Sequence, residues 1–217
     1  MVFLGPSLPA VEARSLTSGL LLPPARQGDV WRALALRPRV LVLIDGVFEL
    51  QPSVWHRELL SALDAGVAVF GASSMGALRA AELDARGMIG IGTIYRGYAE
   101  RRWVDDADVA LLHAGEDDGY RPLTVPLVSV RHVAELAHRH RILTGGEARR
   151  LVETAGAMFY QERRWPAVLR EMQRVWGSGV EVRFRSWFEA GVEDVKAADA
   201  RACLCAAEAF RQGAPSA

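Results

Sequence analysis

The stretch "VAVFGASSMGALRAAEL", residues 67–83, places two adjacent hydroxyls where a buried strand runs into an Ala/Leu-rich helix. A serine at such a junction can cap the helix, cradle an anion or act as a nucleophile. Ala72-x-Ser74-x-Gly76 is a relaxed form of the G-x-S-x-G nucleophile elbow. In that motif small residues let a serine project from a tight strand-to-helix turn, and the amides that open the helix stabilise an oxyanion. Spacing favours Ser74 as the nucleophile, because Ser73 has Met75 at its second position. The same spacing also fits a plainer role, with Ser73 as N-cap, Ser74 in the first turn, and Gly71 and Gly76 serving close packing.

Other groups converge on this rim if the strands are parallel, because ligands and catalytic groups gather at the carboxyl ends of parallel strands. Those ends read "GPSLP", "DGVFE" and "GASSMG", which brings Ser7, Asp45, Glu49, Ser73 and Ser74 to one side. Asp45 is a candidate base or a turn residue. His56, Arg57 and Glu58 follow one another in "VWHRELL", so they cannot all face one site; His56 is the candidate base by its near-neutral pKa. Arg26, after Pro23 and Pro24, and Arg57 are candidates for holding an anion or a carboxylate. Asp29 reads as an N-cap. His113 has no ligand at a familiar metal spacing, and there is neither a Walker A loop nor G-x-G-x-x-G, so no metal, nucleotide or other cofactor is expected.

These residues need a scaffold. The runs "VFL", "VLVLID" and "VAVFGA" are unalternating, β-branched or aromatic, and bounded by Gly or Pro, as strands covered on both faces are. Helical patterns over 28–36 and 54–63 separate them, giving a β-α-β-α-β-α order and hence a parallel sheet. "GMIGIGTIYRGY" is glycine-rich, "DADVALLH" reads as a further strand and "GEDDG" as a hairpin turn, which together break the alternation. From Ser129 the pattern is helical. The expected fold is α/β: a central sheet with parallel early strands and flanking helices over 1–128, a C-terminal helical subdomain over 129–212, and a disordered tail over 213–217.

Composition narrows the function. Half of the 217 residues are hydrophobic, which suffices for a core without staples. Lys plus Arg and Asp plus Glu are 26 each, so no net field draws in nucleic acid. Cys203 and Cys205, two apart on a helical pattern, suit core filling in a reducing cytoplasm. No run reaches the ~18 apolar residues of a membrane helix. The small-residue and aromatic surfaces suit either an oligomer or a partner contact.

Taken in order, "FLGPSLP", "PPARQGD", "LIDGVFE", "VWHRELL", "GASSMGALRAAEL", "GMIGIGTIY" and "DDADVALLH" resemble the ordered motifs of the TfuA-like family over about residues 2–132. The resemblance implies a partner of a YcaO enzyme in peptide backbone thioamidation, a step of natural-product biosynthesis. There YcaO activates the amide of the precursor peptide with ATP. The TfuA-like protein hydrolyses the C-terminal thiocarboxylate of a ThiS-like sulfur carrier to supply sulfide, and promotes engagement of the peptide by YcaO. It further implies a Ser-Lys pair, whose serine falls in "GASSMG". Relatives carry lysine in "HKE" or "PPAK" where this chain has Arg57 and Arg26, and its only lysine is Lys196 in the helical part.

Three readings follow. Hydrolysis proceeds at Ser74, with His56 or Asp45 as base or with Lys196 folded back to the rim. Alternatively the chain is a non-catalytic accessory that activates YcaO and docks the carrier, with Arg26, Arg57 and Ser7 holding the carrier's terminal carboxylate. In the third, the chain is an unrelated serine hydrolase of small acyl substrates.

Overall fold

A computed structural model describes residues 1–47 and 51–213; Glu49 and most of the expected tail lie outside the described residues. The first part alternates strands and helices: β1 (Val2–Phe3), α1 (Ala10–Leu16), β2 (Leu21–Leu22), α2 (Asp29–Leu34), β3 (Val40–Leu43), α3 (His56–Asp64), β4 (Ala68–Ala72), α4 (Met75–Leu83), β5 (Ile89–Ile91) and α5 (Gly92–Ala99). Five helices follow: α6 (Leu127–Arg139), α7 (Gly145–Gly156), α8 (Trp165–Trp176), α9 (Ser178–Glu189) and α10 (Val195–Arg211). Among the described residues no helix is long and apolar enough to cross a membrane.

The sheet is five-stranded and parallel throughout, in the order β2-β1-β3-β4-β5. The α/β class and the parallel early strands are therefore as the apolar runs predict. This is a doubly-wound order, in which successive crossovers reverse direction on either side of β1 and β3, and the crevice outside their carboxyl ends is where such sheets bind ligands. β3 is buried along its whole length, which accounts for its unbroken "VLVL". One face of the sheet, with Val2, Val40, Val42 and Phe70, packs on Leu8 and Ala13 and on Ala200, Cys203, Leu204 and Ala207 of α10. Cys203 is thus core filling, and its burial pushes the thiol pKa up, whereas Cys205 is exposed on the other side of α10 and does not fill the core.

Two compact units are present. One comprises residues 1–105, 114–121 and the chain from Lys196 onward, and the other residues 106–113 and 122–195. Composition groups α10 with the helices before it, whereas its contacts are those of the sheet. The second unit is helical, around a core of Leu127, Val133, Leu151, Val168, Met172 and Phe184.

One expected strand is absent. "DADVALLH" forms a short 3-10 turn over Asp106–Val109, and of its later residues His113 makes a single antiparallel bridge to Pro122. The aspartates explain this: they favour turns over strands, and the buried Asp108 carboxylate takes an ion pair from Arg131, 3.1 Å away. The "GEDDG" segment does reverse the chain, through a 3-10 turn at Glu116–Asp118 closed by Gly119 at φ 62°.

Candidate functional site

Small residues build the junction between β4 and α4. Gly76 donates to the Ile44 carbonyl at 3.2 Å, and a Cβ on Gly76 would overlap the Leu43 carbonyl. A Cβ on Gly71 would overlap the Gly76 carbonyl. The start of α4 is therefore pressed against the carboxyl end of β3 at a distance only glycine allows.

Between those glycines the chain turns within three residues. Ser73 has φ 68° and the Ser74 amide donates back to the Ala72 carbonyl at 2.8 Å, which makes a γ-turn centred on Ser73. Left-handed backbone costs a residue with a Cβ about 1–2 kcal/mol. The Ser73 hydroxyl is fully buried and has no hydrogen-bond partner among the described residues. Ser73 therefore differs from the expected N-cap. Ser74 holds that position, at φ −119° and ψ −124°, and its hydroxyl accepts no bond from the α4 amides.

That hydroxyl is used elsewhere. Lys196 Nζ donates to Ser74 Oγ at 3.1 Å, with Ser74 8% and Lys196 3% exposed. The single lysine, 122 residues further along the chain, is returned to the strand-to-helix turn by α10, whose apolar residues pack on the sheet. One turn beyond it, the buried Asp199 accepts from the amides of Thr93 at 2.8 Å and Ile94 at 2.7 Å, at the start of α5. Asp199 was not legible as a site residue. Its only signal is a carboxylate three positions after the sole lysine.

The other candidates occupy separate places. Asp45 is buried and accepts from the Gly5 amide at 2.9 Å, the Ser7 amide at 3.1 Å and the Ser7 hydroxyl at 2.6 Å. Asp45 and Ser7 are thus brought together, as a clasp between the end of β3 and the loop after β1, and both are spent on each other. His56 is exposed on α3 and pairs with Glu82 at 2.7 Å, which also takes Arg79 at 2.7 Å. Neither serine is among its hydrogen-bond partners. Glu58, its neighbour, is fully buried and accepts from the Trp55 and Val30 amides. Asp29 opens α2 at its first helical position, with Gly28 as the N-cap, and accepts from the Arg26 amide at 2.7 Å. Arg57 and Arg26 are exposed, and Arg26 borders an open cleft of about 280 Å³ with Pro23, Asp29 and Arg32.

A catalytic dyad needs a nucleophile and a base in hydrogen-bond reach, both shielded from bulk water, beside amides that can meet a developing oxyanion. Ser74 and Lys196 are in that reach and shielded, while in the first turn of α4 the Gly76 amide is bonded to the Ile44 carbonyl and the Ala77 amide to the Ser74 carbonyl. Comparison with curated proteins gives no match. A family model described as TfuA-like protein matches residues 45–164, more than half of the chain, a span that holds Asp45, His56, Arg57, Ser73 and Ser74 but neither Ser7, Arg26 nor Lys196. With that match over more than half of its length, the chain belongs to the TfuA-like family.

Proposed function

We propose that this protein releases sulfide from the C-terminal thiocarboxylate of a ThiS-like carrier, with Ser74 as nucleophile and Lys196 as general base, for use by its YcaO partner. Family membership supports association with a YcaO-type enzyme; the hydrolytic step is the proposal. The observation that carries it is the 3.1 Å contact between the buried Lys196 amine and the Ser74 hydroxyl, a hydroxyl left uncommitted by its own helix.

Ser74 Oγ attacks the thiocarboxyl carbon while its proton passes to Lys196 Nζ. The oxyanion faces the start of α4, where the amide of Met75, next after the nucleophile, is the donor the elbow geometry supplies. Collapse expels sulfur, which takes the proton back from Lys196 and leaves as hydrosulfide. Water then cleaves the Ser74 ester through the same amine, giving the carrier carboxylate and free serine. Lysine can lose and regain a proton in this way, which arginine cannot. Arg26 and Arg57, exposed on the same unit, are the proposed contacts for the carrier.

The test is sulfide release from purified carrier thiocarboxylate, with and without YcaO. Ser74→Ala should lose it by a factor of at least ~10³, with folding and YcaO binding retained. Retained sulfide release in that variant refutes the hydrolase and leaves an accessory role.

A further inference from the structure

We infer that Asp199 is the residue that positions Lys196 against Ser74, by locking the start of α10 to the N-terminal turn of α5. The inference rests on the Ser74–Lys196 reading. The residues by which α10 packs on the sheet are Ala200, Cys203, Leu204 and Ala207. Contacts of that kind choose which face of a helix is buried, but they are non-directional and do not fix its rotation or axial position closely. Residue steps along a helix are 1.5 Å and 100° apart, so a small slip of α10 would carry Nζ out of reach of Oγ.

Asp199 supplies direction beside the lysine, whereas the other directional ties of α10, the Arg201–Glu12 ion pair and the bond from Thr17 to Glu208, lie five and twelve residues beyond Lys196. Asp199 lies three residues after Lys196, on the same side of α10. Its two carboxylate oxygens take one amide each, from Thr93 and from Ile94. Charge-assisted bonds of that form are short and geometrically demanding. The opposing surface is shaped for the carboxylate: Gly92 has φ 100°, and a Cβ there would overlap the Asp199 carboxyl group. With the α5 dipole and two amides directed at it, the Asp199 charge is stabilised where it stands. Asp199 is not placed to touch substrate and is a positioning residue.

The experiment compares Asp199→Asn and Thr93→Pro with wild type in steady-state sulfide release from carrier thiocarboxylate, beside Ser74→Ala and Lys196→Ala. Thr93→Pro deletes one of the two amide donors in a first helical turn, where proline is tolerated, and puts the ring Cδ in the place of the hydrogen, so that the Asp199 carboxylate is displaced while residues 196 and 199 keep their identities. A misplacement of about 1 Å costs catalysis on the order of 10²-fold. Both variants should therefore lose ~10-fold to 100-fold in kcat with KM unchanged and cooperative melting kept. In the Lys196→Ala background Asp199→Asn should cost nothing further, because its effect runs through the lysine. Wild-type kcat in whichever of the two variants melts cooperatively overturns the inference, as does an equal loss with and without Lys196. Sulfide release retained by Ser74→Ala and Lys196→Ala instead sinks the dyad itself, and this inference with it.

Discussion

Replacing Lys196 separates catalysis from stability. The side chain is almost fully buried and hydrogen-bonded to Ser74 at 3.1 Å. General-base catalysis contributes ~10²–10⁴-fold, or about 2.7–5.5 kcal/mol of transition-state stabilisation. Lys196→Met should lose that much in kcat. The fold should respond differently, because methionine fills nearly the same volume and has no charge to desolvate, while the lost hydrogen bond costs about 0.5–1.5 kcal/mol. These effects oppose each other, so stability should change by about 1 kcal/mol or less, roughly 2–4 °C in Tm for a chain of this size. Lys196→Arg supplies the control. It keeps a cation and a donor but cannot accept the serine's proton, so it should be as slow as the Met variant. Single-turnover sulfide release together with thermal melting measures both quantities. Wild-type turnover in a folded Lys196→Met refutes the base assignment, and recovery in Lys196→Arg would make the contribution electrostatic.

Three further outcomes are expected. Ser73→Gly relieves left-handed strain of about 1–2 kcal/mol and removes an unpartnered buried hydroxyl, against ~0.5–1 kcal/mol of added chain entropy; it should melt about 2–4 °C higher and release sulfide more slowly, as a loosened turn holds Ser74 less well. Asp45→Ala strips the acceptor from two amides and one hydroxyl, all buried, and should cost about 3–5 kcal/mol in urea unfolding. Burial holds the His132 pKa below the imidazole value of 6.5, so the unfolded chain binds its proton first. Its contribution is therefore complete above about pH 6.5 and declines as pH falls below that, and His132→Gln should flatten this slope in unfolding measured between pH 5 and 7.5.

What could be read from the sequence depended on the range of the signal. The tight turn between β4 and α4 was legible because it is local: a Cβ on Gly71 or on Gly76 would overlap backbone, and no larger residue fits at either. β3 and β4 were legible because burial on both faces leaves an unbroken apolar run. The edge strands β2 and β5, two and three residues long, are too short for any periodicity to show. "DADVALLH" misled because its apolar run resembles a strand while the preceding aspartates already commit the chain to a turn. Lys196 lay beyond such rules, since nothing in the Ala-rich composition of α10 distinguishes a helix that packs on a sheet from one that packs on helices. Its face at Ala200, Cys203, Leu204 and Ala207 has the spacing of either. Composition carried a different signal. The chain uses arginine at every one of its 26 basic positions except residue 196. Arginine holds its proton where lysine can release one, so under the proposed mechanism the one lysine is the cation suited to act as base. The contact with Ser74 is where that chemistry would be used.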